Sequence, residues 1–454
     1  MTIALPRPAG TRQHGRPARN TGIDLVRAWC VVGVVTLHAL MVGVTVTDAG
    51  PLFANASDGS WWITTLSWVL QVMPLFFVIG GFAGFTAYRR ARQRGGSAAG
   101  FVASRIHRLL LPAVCTIGVV AIVLLALLAS GVAGELVGIA GYRFGQPLWF
   151  LGVFLLCQVL LPIMVAAHER APWAALALLV LGAVVVDAVR IATGADAVGI
   201  LNLAVIWLAL QQVGFFLADG RIAALTRRTR AVVGLVAAGA LVLSFVLGIH
   251  SPDLIANINP PTTALLLVGV AHTMLVSLMS RRLTSWSENR FGAALRAFIT
   301  PRAMTIYLWH MPVLLAMAGA CAVFAIASGF ALPAPSSPEW WITRPLWLAT
   351  AFGLTALVAA ALAGVEARTA PPATTSIRRL VSASALGVVA VALLLVVGAS
   401  PATAALAVAM MLLALRLAGE TPDHPRSAPW PMRSAGIDAN RIRAIENANT
   451  TGNV

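Results

Sequence analysis

Runs of eighteen or more apolar residues recur along this chain from about residue 22 to residue 418. A helix must be about 20 residues long to cross the hydrocarbon core of a bilayer, so runs of this length mark membrane spans. The pattern excludes an ordinary soluble domain, and the 59% hydrophobic content agrees with that exclusion. The expected fold is an all-α polytopic membrane protein: a ten-helix core plus a C-terminal two-helix hairpin. The ten spans are expected near 22–47, 62–87, 109–132, 146–165, 173–191, 198–218, 231–249, 263–279, beginning in TPRAMTIYLWHMPVLLAMAGA (300–320), and 346–365. Runs at 381–399 and 402–418 form the hairpin around Ser400-Pro401.

The segments between these runs orient the chain. The net charge of +16 comes entirely from Arg, with no Lys, a composition that points to a GC-rich bacterial genome. The arginines are spread over short loops, which argues against a nucleic-acid surface and for the positive-inside rule. Only Arg143, Arg190 and Arg344 fall in segments assigned to the outside. Both termini are therefore expected in the cytoplasm, with the protein in the bacterial plasma membrane. The expected organisation is a disordered basic arm (1–21), the ten-span domain (22–366), a cytoplasmic linker (367–379), the hairpin (380–418) and a disordered tail (419–454). Cys30, Cys115, Cys157 and Cys321 lie in apolar runs without metal-ligand spacing, so no metal site and no disulfide framework is expected.

Ionisable residues inside spans are costly and usually mark function. The first span, GIDLVRAWCVVGVVTLHALMVGVTVT, holds Arg27 near its first turn and His38 well inside, eleven positions on. Eleven residues of helix return to nearly the same face, about 16 Å further along the axis. One stripe thus presents a guanidinium below an imidazole. Thr21 or Asp24 is positioned to cap the helix, and Asp24 can instead pair with Arg27 at i+3. The second run contains PLFFVIGGFAGF, where Pro74 predicts a kink and Gly80, Gly81 and Gly84 permit close helix approach. Arg105 and Arg108 sit three apart, on one helical face just before the third span. His272 and His310 lie inside the eighth and ninth spans, and Phe291, Leu295 and Phe298 give 281–303 an amphipathic face.

An imidazole in an apolar site suits general-base work, and guanidinium forks suit phosphate. A base and a phosphate clamp together suggest transfer of a group from a phosphorylated carrier. Each residue also has a structural reading: Arg27 as a snorkelling anchor, His38, His272 and His310 as interhelical hydrogen bonders, Arg105 and Arg108 as inner-surface charges, Trp149 and Tyr307 as packing aromatics.

The Arg27–His38 pairing resembles the first-helix signature of the acyltransferase-3 family, the membrane acyltransferases that include O-antigen acetylases and macrolide acylases. PLFFVIGGF resembles that family's second-span segment, and Arg105-Ile106-His107-Arg108 before Pro112 resembles its Arg-x-x-Arg stretch. PLWFL from Pro147 and TIYLWHMP from Thr305 match its later landmarks in order. The chain departs from the pattern in carrying Gly80-Gly81 where many members have Ser-Gly, and in its C-terminal hairpin. The resemblance implies an enzyme moving an acyl group, acetyl first, from cytoplasmic acyl-CoA to a hydroxyl of a glycan, lipid-linked sugar or natural product. It implies His38 as base, or as a covalent acyl carrier, with Arg27 shaping the tunnel and Arg105 and Arg108 holding CoA phosphates. His310 and Trp149 are implied substrate contacts. Acyl-CoA is then a co-substrate, no cofactor is permanently bound, and no nucleic-acid partner is expected. The rival expectation is a transporter or flippase, although no matched pair of broken helices is visible in two halves.

Overall fold

The computed structural model describes residues 20–48 and 50–420. Nearly all of the expected basic arm and C-terminal tail lies outside these residues. Among the described residues, eleven helices are long and apolar enough to cross a membrane, and a bent pair raises that to twelve. The chain is an all-α polytopic membrane protein, and the single small sheet among the described residues is a two-stranded hairpin.

Helix α1 runs Thr21–Met41. Its cap is Asn20, whose side-chain oxygen accepts from the Ile23 amide at 3.2 Å, and not Thr21 or Asp24. Asp24 instead pairs with Arg27 across one turn at 3.8 Å. The helix stops six residues short of the expected span. Strand β1 (Val42–Thr47) follows and pairs antiparallel with β2 (Gly50–Asn55), Val42 opposite Asn55 and Thr47 opposite Gly50. The cause is local: five of the six residues of VGVTVT, all but Gly43, are β-branched, a poor helix and a good strand composition. His38 therefore lies in the last turn of α1 and not mid-span.

The second span is broken, not kinked, into α2 (Trp61–Leu70) and α3 (Met73–Gln93). Pro74 occupies the first turn of α3, where its missing amide costs nothing, and the helix before it ends. Gln71 at the break is buried and donates to the Leu254 carbonyl at 2.8 Å. Helix α4 (Ala98–Ala129) starts well before the expected third span and carries Arg105 and Arg108 inside it. Where an outer loop was expected, α5 (Gly134–Gly145) forms and leads into α6 (Trp149–Arg170). Then come α7 (Pro172–Thr193), α8 (Asn202–Ala218), the short α9 (Arg221–Ala224) and α10 (Arg227–Val246).

Helix α11 (Ala264–Leu278) turns by 67° into α12 (Ser280–Glu288), and Asn289 caps α13 (Arg290–Ile299). The amphipathic stretch is thus two helices. Leu295 and Phe298 pack toward α1, while Phe291 is exposed. The last elements are α14 (Ala303–Ser328), α15 (Pro338–Ala361), the short α16 (Ala363–Glu366), α17 (Ile377–Val396) and α18 (Pro401–Ala418). Helix α15 begins eight residues before the expected tenth span, so Arg344 belongs to a helix and not to a loop.

Two packing features position the site. Helices α3 and α8 cross with backbones in contact: a Cβ at Gly81 would meet the Gln211 carbonyl, and one at Gly214 would meet that of Val78. Helices α17 and α18 pack on α4 and α6, with Gly387 against Leu110 and Leu155 and the small face Ala404, Ala407, Ala414, Ala418 buried. The hairpin therefore braces the helix that bears Arg105 and Arg108. Helix α7, by contrast, buries only Ala183 and Asp187. The carboxylate of Asp187 accepts from Asn202 Nδ2 at 2.9 Å and from the Thr263 amide at 2.7 Å, and lies 3.7 Å from His250 Nε2.

Candidate active site

The stripe expected on α1 exists, and α14 meets it. The Nε2 atom of His310 lies 3.2 Å from Nδ1 of His38, and the ring centroids are 4.9 Å apart. The hydrogen-bond partners order the protons. His310 Nδ1 is 2.5 Å from the Tyr307 carbonyl, which only accepts, so Nδ1 donates and Nε2 is left as an acceptor. His38 Nδ1 faces two acceptors, the Val34 carbonyl at 3.0 Å and that imidazole nitrogen. It therefore carries its proton, and the lone pair of His38 sits on Nε2. Among the described residues Nε2 of His38 has no hydrogen-bond partner, and it is not enclosed. His310 by contrast is fully buried. Tyr307 is itself held by its hydroxyl, which donates to the Pro147 carbonyl in front of α6.

Below the two imidazoles lies a cavity of about 140 Å³. Its wall on α1 is Arg27, Val31, Val34 and Val35, the residues of the stripe that leads up to His38. Val34, Val35 and Tyr307 close it within one helical turn of the histidine pair. Phe76 from α3 and Phe150 and Phe154 from α6 line it; Phe76 meets both partners edge to face, and Phe150 and Phe154 stack on each other. The far end is cationic: Arg27, Arg105 and Arg108 all line it. Arg105 stacks on the Phe101 ring at 4.7 Å, its Nε buried without a partner. Neither Arg105 nor Arg108 has a carboxylate partner among the described residues. The cavity's one acid, Glu366, is already engaged: its Oε2 accepts from the Thr305 hydroxyl at 2.7 Å and the Thr305 amide at 3.2 Å. Three guanidinium groups and one engaged carboxylate leave this space with an excess of positive charge.

The sequence expectations separate cleanly here. Arg27, Arg105 and Arg108 share one cavity, and His38 and His310 meet above it. Trp149 does not line the cavity: it packs against Trp207 at 5.3 Å, and its neighbour Phe150 takes the wall position. His272 does not join the group. Gln158 and Glu366 line the cavity and were not singled out from the sequence. A signal existed for Gln158, a lone amide in the apolar run FLLCQVLLP. None existed for Glu366, because its importance lies in its contact with Thr305.

A membrane-embedded bundle thus holds a paired imidazole over an arginine-lined cavity. The chain belongs to the acyltransferase-3 family: the model of its acyltransferase domain matches residues 20–365. It is a membrane acyltransferase. No curated protein and no solved structure matches it. The matched region ends before α17, so the hairpin lies beyond the family domain.

Proposed function

We propose that this chain transfers an acyl group, acetyl first, from cytoplasmic acyl-CoA to a hydroxyl on a glycan, lipid-linked sugar or natural product. The observation that carries this reading is the vertical order of the site: three arginines at one end of a cavity, two imidazoles just past the other. The CoA phosphates bind Arg105 and Arg108, and the pantetheine arm lies along Val31, Val34 and Phe154 so that the thioester reaches His38. Nε2 of His38 takes the proton of the acceptor hydroxyl, and that oxygen adds to the thioester carbonyl. The tetrahedral adduct collapses with cleavage of the C–S bond. The CoA thiolate recovers the proton from His38, giving an ester and free CoA. His310 accepts the Nδ1 hydrogen bond throughout, which steadies the imidazolium that forms between the two proton transfers. In this reading the arginine end faces the cytoplasm of a bacterial cell.

The test is acyl-CoA-dependent release of free CoA by the purified protein in lipid, wild type beside His38→Ala. Release that depends on His38 supports the assignment. Undiminished release in a folded His38→Ala protein refutes it.

A further inference from the structure

The end of the molecule opposite the arginine cavity holds a cation that the acyl-transfer reading does not use. Arg344, in the second turn of α15, is only 9% exposed. Its guanidinium sits 4.3 Å from the Trp340 ring and 4.9 Å from the Trp347 ring. Nε donates to the Trp340 carbonyl at 3.3 Å and Nη2 to the Thr343 hydroxyl at 3.1 Å. Among the described residues no carboxylate pairs with it, and Nη1 has no partner. Nη1 is also not enclosed, unlike the buried Nε of Arg105. The stack of rings thus fixes the guanidinium plane and turns one donor edge outward.

Three features distinguish this arginine from an interfacial anchor. It stands at the end of the bundle where arginine is scarce. It is folded in between rings instead of reaching for water, the course long charged side chains ordinarily take. It is also tied to the site: Trp347 donates through Nε1 to the Ala39 carbonyl at 2.9 Å, the residue next to His38. Trp62 stacks on Trp340 at 6.1 Å and meets Trp341 edge-on at 5.4 Å, walling the place where α1 ends. A held guanidinium with a free N–H edge among indole faces recognises a planar or tetrahedral oxyanion beside a sugar or lipid body.

We propose that Arg344, held by Trp340 and Trp347, is a binding site for a phosphate-bearing ligand at the end of the bundle away from the arginine cavity. That the phosphate belongs to the acyl acceptor rests on the acyl-transfer reading; the binding itself does not. The phosphate is that of a soluble phosphosugar or that of a membrane lipid, and the arms of the test separate the two.

The test uses the full chain in phosphatidylcholine nanodiscs and reads modification of Arg344 by phenylglyoxal, located by peptide mass spectrometry. The probes are glucose 1-phosphate, glucose, and phosphatidylglycerol mixed into the disc. Protection of Arg344 by glucose 1-phosphate, at least tenfold over glucose, supports the site with a soluble phosphosugar. Protection by phosphatidylglycerol alone supports it with a lipid phosphate. Protection by neither phosphate probe overturns the proposal, and so does an Arg344 that is unreactive without ligand. Because the wild-type chain is probed, a misfolded variant cannot confuse the result. Binding of the protecting probe should also weaken at least tenfold in a folded Arg344→Gln protein. Unchanged binding there overturns the assignment. Loss of protection alongside intact His38-dependent CoA release would remove this site and leave the acyl-transfer reading standing.

Discussion

His310 touches His38 and not the cavity, so its removal isolates what the second imidazole does. In the resting site the two neutral rings share one hydrogen bond of 3.2 Å, a contact of about 0.5–1.5 kcal/mol. When His38 takes the acceptor proton the same bond becomes charge-assisted, about 1.5–3 kcal/mol. The difference, about 1–2 kcal/mol, exists only once the proton has moved, and corresponds to roughly a 5- to 30-fold loss in kcat. His310→Phe fills the same fully buried space without an acceptor, so it should show that loss with the KM for acyl-CoA unchanged. His310→Gln offers a side-chain oxygen to His38 Nδ1 and should recover part of the rate. His38→Ala should cost more, about 10²–10⁴-fold for a general base. The double variant should be no slower than His38→Ala, because His310 acts through His38. The assay is steady-state CoA release in lipid, with melting temperatures confirming that each protein is folded. A change below twofold in His310→Phe would refute the proton ordering, and so would losses that multiply in the double variant.

Arg105→Ala should raise the KM for acyl-CoA by about tenfold, the worth of one charge-assisted phosphate contact, with a smaller rise for the exposed Arg108→Ala; unchanged saturation curves in both would remove the phosphate-clamp role. Asp187→Ala strands the Asn202 amide and the Thr263 N–H where α7 has almost no other buried contact. It should therefore destabilise the protein by about 2 kcal/mol, seen as a lower melting temperature with kcat/KM intact, whereas a fall in activity at unchanged stability would contradict a purely structural role.

What could be read along the chain was whatever depends on local period and polarity. Apolar length marked the spans, and the eleven-residue interval put Arg27 and His38 on one stripe of α1, where the structure keeps them. The three-residue interval likewise kept Arg105 and Arg108 on one face. The glycines of PLFFVIGGFAGF announced close packing, and Gly81 against Gln211 is that packing. Element ends were less legible: VGVTVT is as apolar as a helix end, so hydropathy ran α1 into a strand. Only β-branching at five of the six positions of that segment, Val42 and Val44 to Thr47, marked the change.

The tertiary structure alone decided the rest. His38 and His310 stand 272 residues apart, and no periodicity links positions on different helices. Their contact follows from α14 crossing α1, and it converts two separate imidazoles into one ordered pair. The committed state of Glu366, the exclusion of Trp149 in favour of Phe150, and the bracing of α4 by α17 and α18 arise the same way, from packing between elements. By itself the sequence determined an all-α membrane bundle and one polar stripe on α1, because helical repeat and hydropathy act within a segment. The cavity, the direction of the His38 lone pair and the stacked Arg344 were decided by the fold, because each is a relation between segments that only close packing creates.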